Sequence, residues 1–164
     1  MNDEYFMNIA LEEAQKAFDR GDFPVGAVLT LDGKFYAKGG NTQVSGSNLS
    51  LHAESAMIIK HSPEIRKARK TKRVELYSTL EPCIMCFGTA VQNGIHRIVY
   101  ACPDPFGGAT DITTPGNAWV RERIPIIEGG LFREKSYGLI MKYMPGKEAW
   151  KNVLKAFEEM GRSQ

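Results

Sequence analysis

No run of roughly 18 apolar residues, the length a membrane-crossing helix needs, occurs in the 164 residues. A basic leader is missing too: Asp3 and Glu4 stand where a secretory signal would place positive charge ahead of an apolar stretch. The expectation is a soluble, cytoplasmic protein with no membrane partner. Excess charge of either sign is absent, since 21 Lys and Arg against 19 Asp and Glu leave a formal net charge of +2. That balance lacks the footprint of a protein living on nucleic-acid phosphates, without forbidding an RNA partner. Cysteine is scarce, and a count of 3 argues against a disulfide framework. Internal repeats, linkers and low-complexity segments are also lacking. With 43% hydrophobic residues, the chain has the size and composition of one domain spanning 1–164 around a single core.

Periodicity supplies the elements. Residues 4–20 put Phe6, Ile9, Ala10, Glu13 and Ala17 at helical spacing and stop at Gly21. Residues 25–30 and 34–38, joined by Leu31-Asp32-Gly33, read as a hairpin, because Asp-Gly supplies the positive φ of a tight turn. A polar loop over 39–50 leads to a helix over 51–60, with Ser50 as its candidate cap. Strand 74–79, a helix over 83–92 with Pro82 at its first position, and strand 95–101 form a unit whose strands are expected to run parallel. Residues 103–125 read as a long loop, 126–127 as a short last strand, and 131–143 and 147–160 as helices parted by Pro145-Gly146. A sheet with helices on both faces is the economical packing.

The chemistry sits in two short motifs, His52-Ala53-Glu54 and Pro82-Cys83-Ile84-Met85-Cys86. Removing an amino group from an aromatic ring by hydrolysis needs a nucleophile at neutral pH, a base for its proton and a donor for the departing ammonia. Zinc with an open fourth position answers the first need, and an adjacent carboxylate the other two. The pattern H-x-E followed by P-C-x-x-C is the known signature of zinc deaminases. His52, Cys83 and Cys86 are therefore the candidate ligands of one Zn2+ per chain, and Glu54 the proton shuttle. Cys83 and Cys86, three apart, share a helix face near an N-terminus whose dipole favours thiolate. His52 and Glu54 pose a conflict, because residues two apart on a regular helix point about 200° from each other. His52 is expected at the helix entry, outside regular geometry or barely inside it, and Glu54 in the first turn. A redox pair is the other use of a Cys-x-x-Cys, and a non-catalytic zinc module binding nucleic acid the rival of another class. Glu54 argues against the module, which has no use for a carboxylate beside an open metal position.

At these residues the chain resembles the cytidine and deoxycytidylate deaminase superfamily, within it the branch of tRNA adenosine deaminases, guanine deaminase and fungal cytosine deaminase. The resemblance extends to Phe23-Pro24-Val25-Gly26-Ala27-Val28-Leu29, to Asn41, to Leu76-Tyr77-Ser78-Thr79-Leu80-Glu81 ahead of the second motif, and to Arg97-Ile98-Val99-Tyr100 through Asp104. It implies a three-layer α/β/α sandwich with a five-stranded mixed sheet, zinc between the two motif helices, and a homodimer. It further implies that Asn41 hydrogen-bonds the substrate ring or ribose, that the Ala53 backbone N–H reads a ring substituent, and that the loop after Asp104 closes over the base. Pro82 and Phe106 complete the candidate substrate-facing set.

Departures from the tRNA enzymes bear on substrate. Asn48-Leu49-Ser50-Leu51 replaces the usual Asp-Pro-Thr-Ala, Phe87 stands where a small residue is common, and Phe157-Glu158-Glu159-Met160-Gly161 replaces a basic tail. A small amino-bearing ring is expected ahead of tRNA, with adenosine in tRNA as the alternative. His61 and His96 lack ligand spacing and are read as surface or strand-end residues, and Cys102 as a small strand residue. The basic run 66–73 is read as a solvated helix end and loop. Trp119 and Trp150 suit either packing or capping of a substrate.

Overall fold

The computed structural model describes residues 2–112 and 118–162. Five strands form one mixed sheet in the order β2-β1-β3-β4-β5. β1 (Gly26–Leu31) pairs antiparallel with both β2 (Lys34–Gly40) and β3 (Val74–Leu80), whereas β4 (Arg97–Cys102) runs parallel to β3 and β5 (Ile126–Gly129) parallel to β4. The β1–β2 hairpin turns on Asp32 and Gly33, at φ of 51° and 68°, the two positive angles of a type I′ turn.

Side-chain alternation along the strands sorts the core into two layers. Val28, Tyr77, Val99 and Ala101 face α1 (Asp3–Arg20), which buries Phe6, Met7, Ala10 and Leu11 against them. The opposite-parity residues Ala27, Leu29, Leu76, Ile98 and Cys102 belong to the larger cluster, with Met57 and Ile58 of α2 (Ala53–Lys60) and Phe87, Ala90 and Val91 of α4 (Ile84–Asn93). α6 (Arg133–Tyr143) packs on α1 and β4. The three-layer expectation is thereby met. Gly26 is required at the α1 contact, where any Cβ would collide with the Ala10 carbonyl and the Ala14 amide.

Several boundaries differ from the sequence expectation. Ser50 does not cap α2: residues 50–52 stay outside the helix, and His52 is the N-cap. Pro82 precedes the N-cap of α4, which is Cys83 in extended conformation. α3 (Ser62–Ala68) follows α2 after His61 alone and covers part of the basic run. Its Pro63 occupies the first turn, where a missing N–H costs nothing. In the expected 103–125 loop, residues 113–117 lie outside the described residues, and α5 (Ala118–Arg121) is a short helix. The last helix, α7 (Lys151–Arg162), is preceded by a 3-10 turn, Glu148–Trp150.

Candidate active site

Two helix N-termini converge on the site, and each presents its first ligand from the N-cap. His52 is extended, at φ −68° and ψ 153°, while its carbonyl accepts the first helical bond from Ala56 N at 3.0 Å. That placement resolves the conflict with Glu54: the imidazole leaves the helix path and the carboxylate sits in the first turn. Cys83 repeats the device at φ −69° and ψ 172°, its carbonyl accepting from Phe87 N at 2.8 Å, with Cys86 in the first turn of α4. Ligand atoms of His52, Cys83 and Cys86 all lie within 4.8 Å of one another, and His52 Nδ1 is 3.6 Å from Cys83 Sγ.

The electrostatics suit a dication. A hydrogen bond from the Cys86 thiol, seconded by His52, holds Cys83 down to about 3, while the same bond and burial push Cys86 up. The Cys86 thiol thus favours a thiolate at Cys83, and the N-terminus of α4 favours negative charge on both sulfurs. Cys83 in turn raises His52. Glu54 is 3% exposed; Oε1 accepts from Ser78 Oγ at 3.1 Å, and Oε2 has no hydrogen-bond partner among the described residues. Burial raises its pKa. An orphaned carboxylate oxygen beside one imidazole and two sulfurs is the donor set of a catalytic zinc, which keeps one position for a reactant. The residues present fit zinc, with Glu54 beside the three ligands and not needed as a fourth.

A cavity of about 220 Å³ opens on this cluster. His52, Glu54, Cys83, Asn41, Asp104 and Phe106 of the expected set line it; Cys86 is fully buried, and Ala53 and Pro82 are buried without contributing to the lining. The Asn41 amide is engaged with Gln43: Nδ2 donates to Gln43 Oε1 at 2.8 Å, and Oδ1 accepts from Gln43 N at 2.9 Å. Asp104 folds back on its own loop, accepting from the Phe106 and Gly107 amides at 3.0 Å each, and burial raises its pKa. Phe106 stands 62% exposed at the mouth.

Sequence reasoning missed several lining residues. Glu81 ties the 104–110 loop to the motif, accepting from Asp104 N at 3.0 Å, Thr110 N at 3.2 Å and the Thr110 hydroxyl. Its place directly before Pro82 was the available signal. Gln43 approaches His52, and nothing in the polar 39–50 loop singled it out. Trp150 packs, stacking on Phe23 with centroids 4.6 Å apart and planes 4° from parallel, and it also lines the cavity with Val153 and Phe157. Trp119 is 42% exposed beneath the Arg123 guanidinium. Cys102 is a buried strand residue whose thiol burial pushes up to about 12. His96 accepts from Val74 N at 3.0 Å, and His61 packs edgewise on Tyr36. The basic run ends at the start of β3, roughly 20 Å of strand from the motif at its other end.

Residues 1–102 match the family model of the cytidine and deoxycytidylate deaminase zinc-binding region. The fold and the three-ligand site describe a zinc deaminase, and the chain belongs to this family. A tRNA-specific adenosine deaminase of Agrobacterium fabrum is 39% identical over 107 residues, 65% of this chain and 70% of the relative. A solved structure from a study of A-to-I editing by tRNA:A34 deaminases is 34% identical with a TM-score of 0.67, covering 82% of this chain and 98% of that one. Guanine deaminase from Bacillus subtilis is 30% identical with a TM-score of 0.54, covering 63% and 66%. The chain is thus a zinc-dependent hydrolytic deaminase. Among the described residues no helix is long and apolar enough to cross a membrane.

Proposed function

We propose that this deaminase converts adenosine in tRNA to inosine, within a single domain spanning 1–164. The observation carrying the substrate is the 39% identity, over 107 residues, to a tRNA-specific adenosine deaminase. This reverses the order of substrates expected from the sequence departures alone. His52, Cys83 and Cys86 would hold the zinc, which would supply Lewis acidity for activating water at neutral pH. Glu54 takes the proton at its free Oε2 and returns it to the ring nitrogen or the departing amine, while Ser78 keeps Oε1 in place. Burial favours the protonated form of Glu54, which suits it to the donor half of that cycle. Asn41 and Phe106 bind the ring from the cavity wall and mouth. A homodimer belongs to the same reading, supported by exposed Ile59 on α2 and Ile84 on α4, and sedimentation of the intact chain tests it.

A free base is the second reading, favoured by one observation. Trp150, Val153 and Phe157 wall the cavity from the C-terminal segment, and a space of about 220 Å³ suits a single small ring system. Two assays separate the readings: inosine formation in an anticodon stem-loop RNA, and ammonia release from free guanine, adenine and cytosine, each with Glu54→Ala as blank. Inosine that the blank lacks upholds the tRNA reading. Ammonia from a free base with RNA inert would replace it.

A further inference from the structure

We propose that Gln43 is a positioning residue that orients His52 for metal binding and links the metal site to Asn41, an inference that rests on the zinc reading of the site. The imidazole is addressed from both sides. Its Nδ1 faces Cys83 Sγ at 3.6 Å, and its Nε2 lies 3.0 Å from Gln43 Nε2. Gln43 is itself held by three further contacts: its NH2 donates to the Leu49 carbonyl at 2.8 Å, its Oε1 accepts from Asn41 Nδ2 at 2.8 Å, and its backbone N–H donates to Asn41 Oδ1 at 2.9 Å. The contact to His52 therefore comes from a braced side chain, which lowers the entropy lost in fixing the ring.

The chemistry of a ligating histidine makes that contact consequential. A ring that gives its Nδ1 lone pair to a metal carries its proton on Nε2, and that N–H requires an acceptor. A ring with a proton on Nδ1 presents a bare Nε2 and requires a donor. A glutamine amide serves either state, with its NH2 toward the bare nitrogen or its oxygen toward the protonated one. The amide that would answer a change of tautomer at His52 is the same one that holds Asn41, so metal loading and the orientation of Asn41 in the pocket are connected through one side chain. Leucine at this position fills the space and answers neither tautomer, whereas glutamate accepts from His52 Nε2–H and from Asn41 Nδ2 and gives up the donation to the Leu49 carbonyl.

The test is zinc affinity of the full chain, read by competition with a chromophoric chelator, for the wild type, Gln43→Leu and Gln43→Glu. Thermal melting of each zinc-free protein is measured alongside. The expected pattern is ~10–100-fold weaker zinc binding for Gln43→Leu, with Gln43→Glu keeping an affinity closer to the wild type because it still accepts from His52 Nε2–H although it loses the bond to the Leu49 carbonyl. Imidazole 15N spectra of the zinc-loaded wild type should show His52 protonated at Nε2. Unchanged zinc affinity in Gln43→Leu overturns the proposal. Equal weakening in both variants overturns it too, because Gln43 would then only brace its loop. Failure of the wild-type chain to take up zinc would overturn the metal site itself and this proposal with it, whereas a failure in substrate turnover with this affinity pattern intact would touch only the proposed reaction.

Discussion

Ser78→Ala isolates the role of Glu54 without touching a ligand. Ser78 is fully buried on β3, and its hydroxyl donates to Glu54 Oε1 at 3.1 Å. Because Oε2 has no hydrogen-bond partner among the described residues, the substitution leaves the carboxylate without the one side-chain hydrogen bond it receives from them. A hydrogen bond to a charged group contributes about 1.5–3 kcal/mol. If that contribution serves to hold Glu54 on the reaction path, kcat should fall by about 10- to 150-fold at 1.36 kcal/mol per factor of ten. Zinc content, measured by metal analysis, should stay at one per chain, since His52, Cys83 and Cys86 make no contact with the hydroxyl. The assay is deamination at saturating substrate with zinc in excess. A kcat within about threefold of the wild type, with zinc bound, would refute the reasoning. Loss of zinc in step with activity would refute it equally, by showing that Ser78 supports the metal site and not the carboxylate.

Three further outcomes are expected. Arg97, 2% exposed, joins Asp3, Glu75 and Glu128, and Arg97→Met should cost about 3 kcal/mol by urea denaturation, because Glu75 at 1% exposure loses a buried cation and is left with half-exposed Arg73 and the Thr30 hydroxyl, while deamination per folded molecule is retained. Arg97 lowers Asp3 below its usual 3.8, so its contribution is present at neutral pH and lost as pH falls below about 4; the variant should show a shallower acid limb, and an unchanged limb would count against the pairing. In the zinc-free protein Cys83 should alkylate near neutral pH while Cys102, pushed up to about 12, labels only on unfolding, as peptide mapping would show. Trp150→Ala should raise KM for a free-base substrate by about 2- to 13-fold, the equivalent of an aromatic contact of about 0.5–1.5 kcal/mol, and leave KM for an RNA substrate unchanged.

Most of the fold was legible because its signals are local. The helical spacing of Phe6, Ala10 and Ala17, the Asp32-Gly33 turn and the β-branched run of β3 each declare themselves within a few residues. The missed elements had ambiguous local signals. Ser62-Pro63 starts a helix where the sequence reading placed no element after residue 60, and Ser50 is a good cap residue that the chain passes over so that His52 can leave the helix path. The beginning of α4 slipped by one residue for the same reason, with Cys83 extended to turn its sulfur toward His52.

The sequence by itself determined the class of reaction: which residue types could hold zinc, and that the two motifs open helices. Those are properties of residue identity and spacing over three or four positions, where backbone geometry leaves few choices. Only the tertiary structure decided what surrounds them. Gln43 reaches His52, Glu81 grips residues 104 and 110, and Trp150 meets Phe23 across more than a hundred residues of chain. Such contacts depend on how helices settle on the sheet and leave no periodic trace, and they include the cavity wall, through which substrate shape is read.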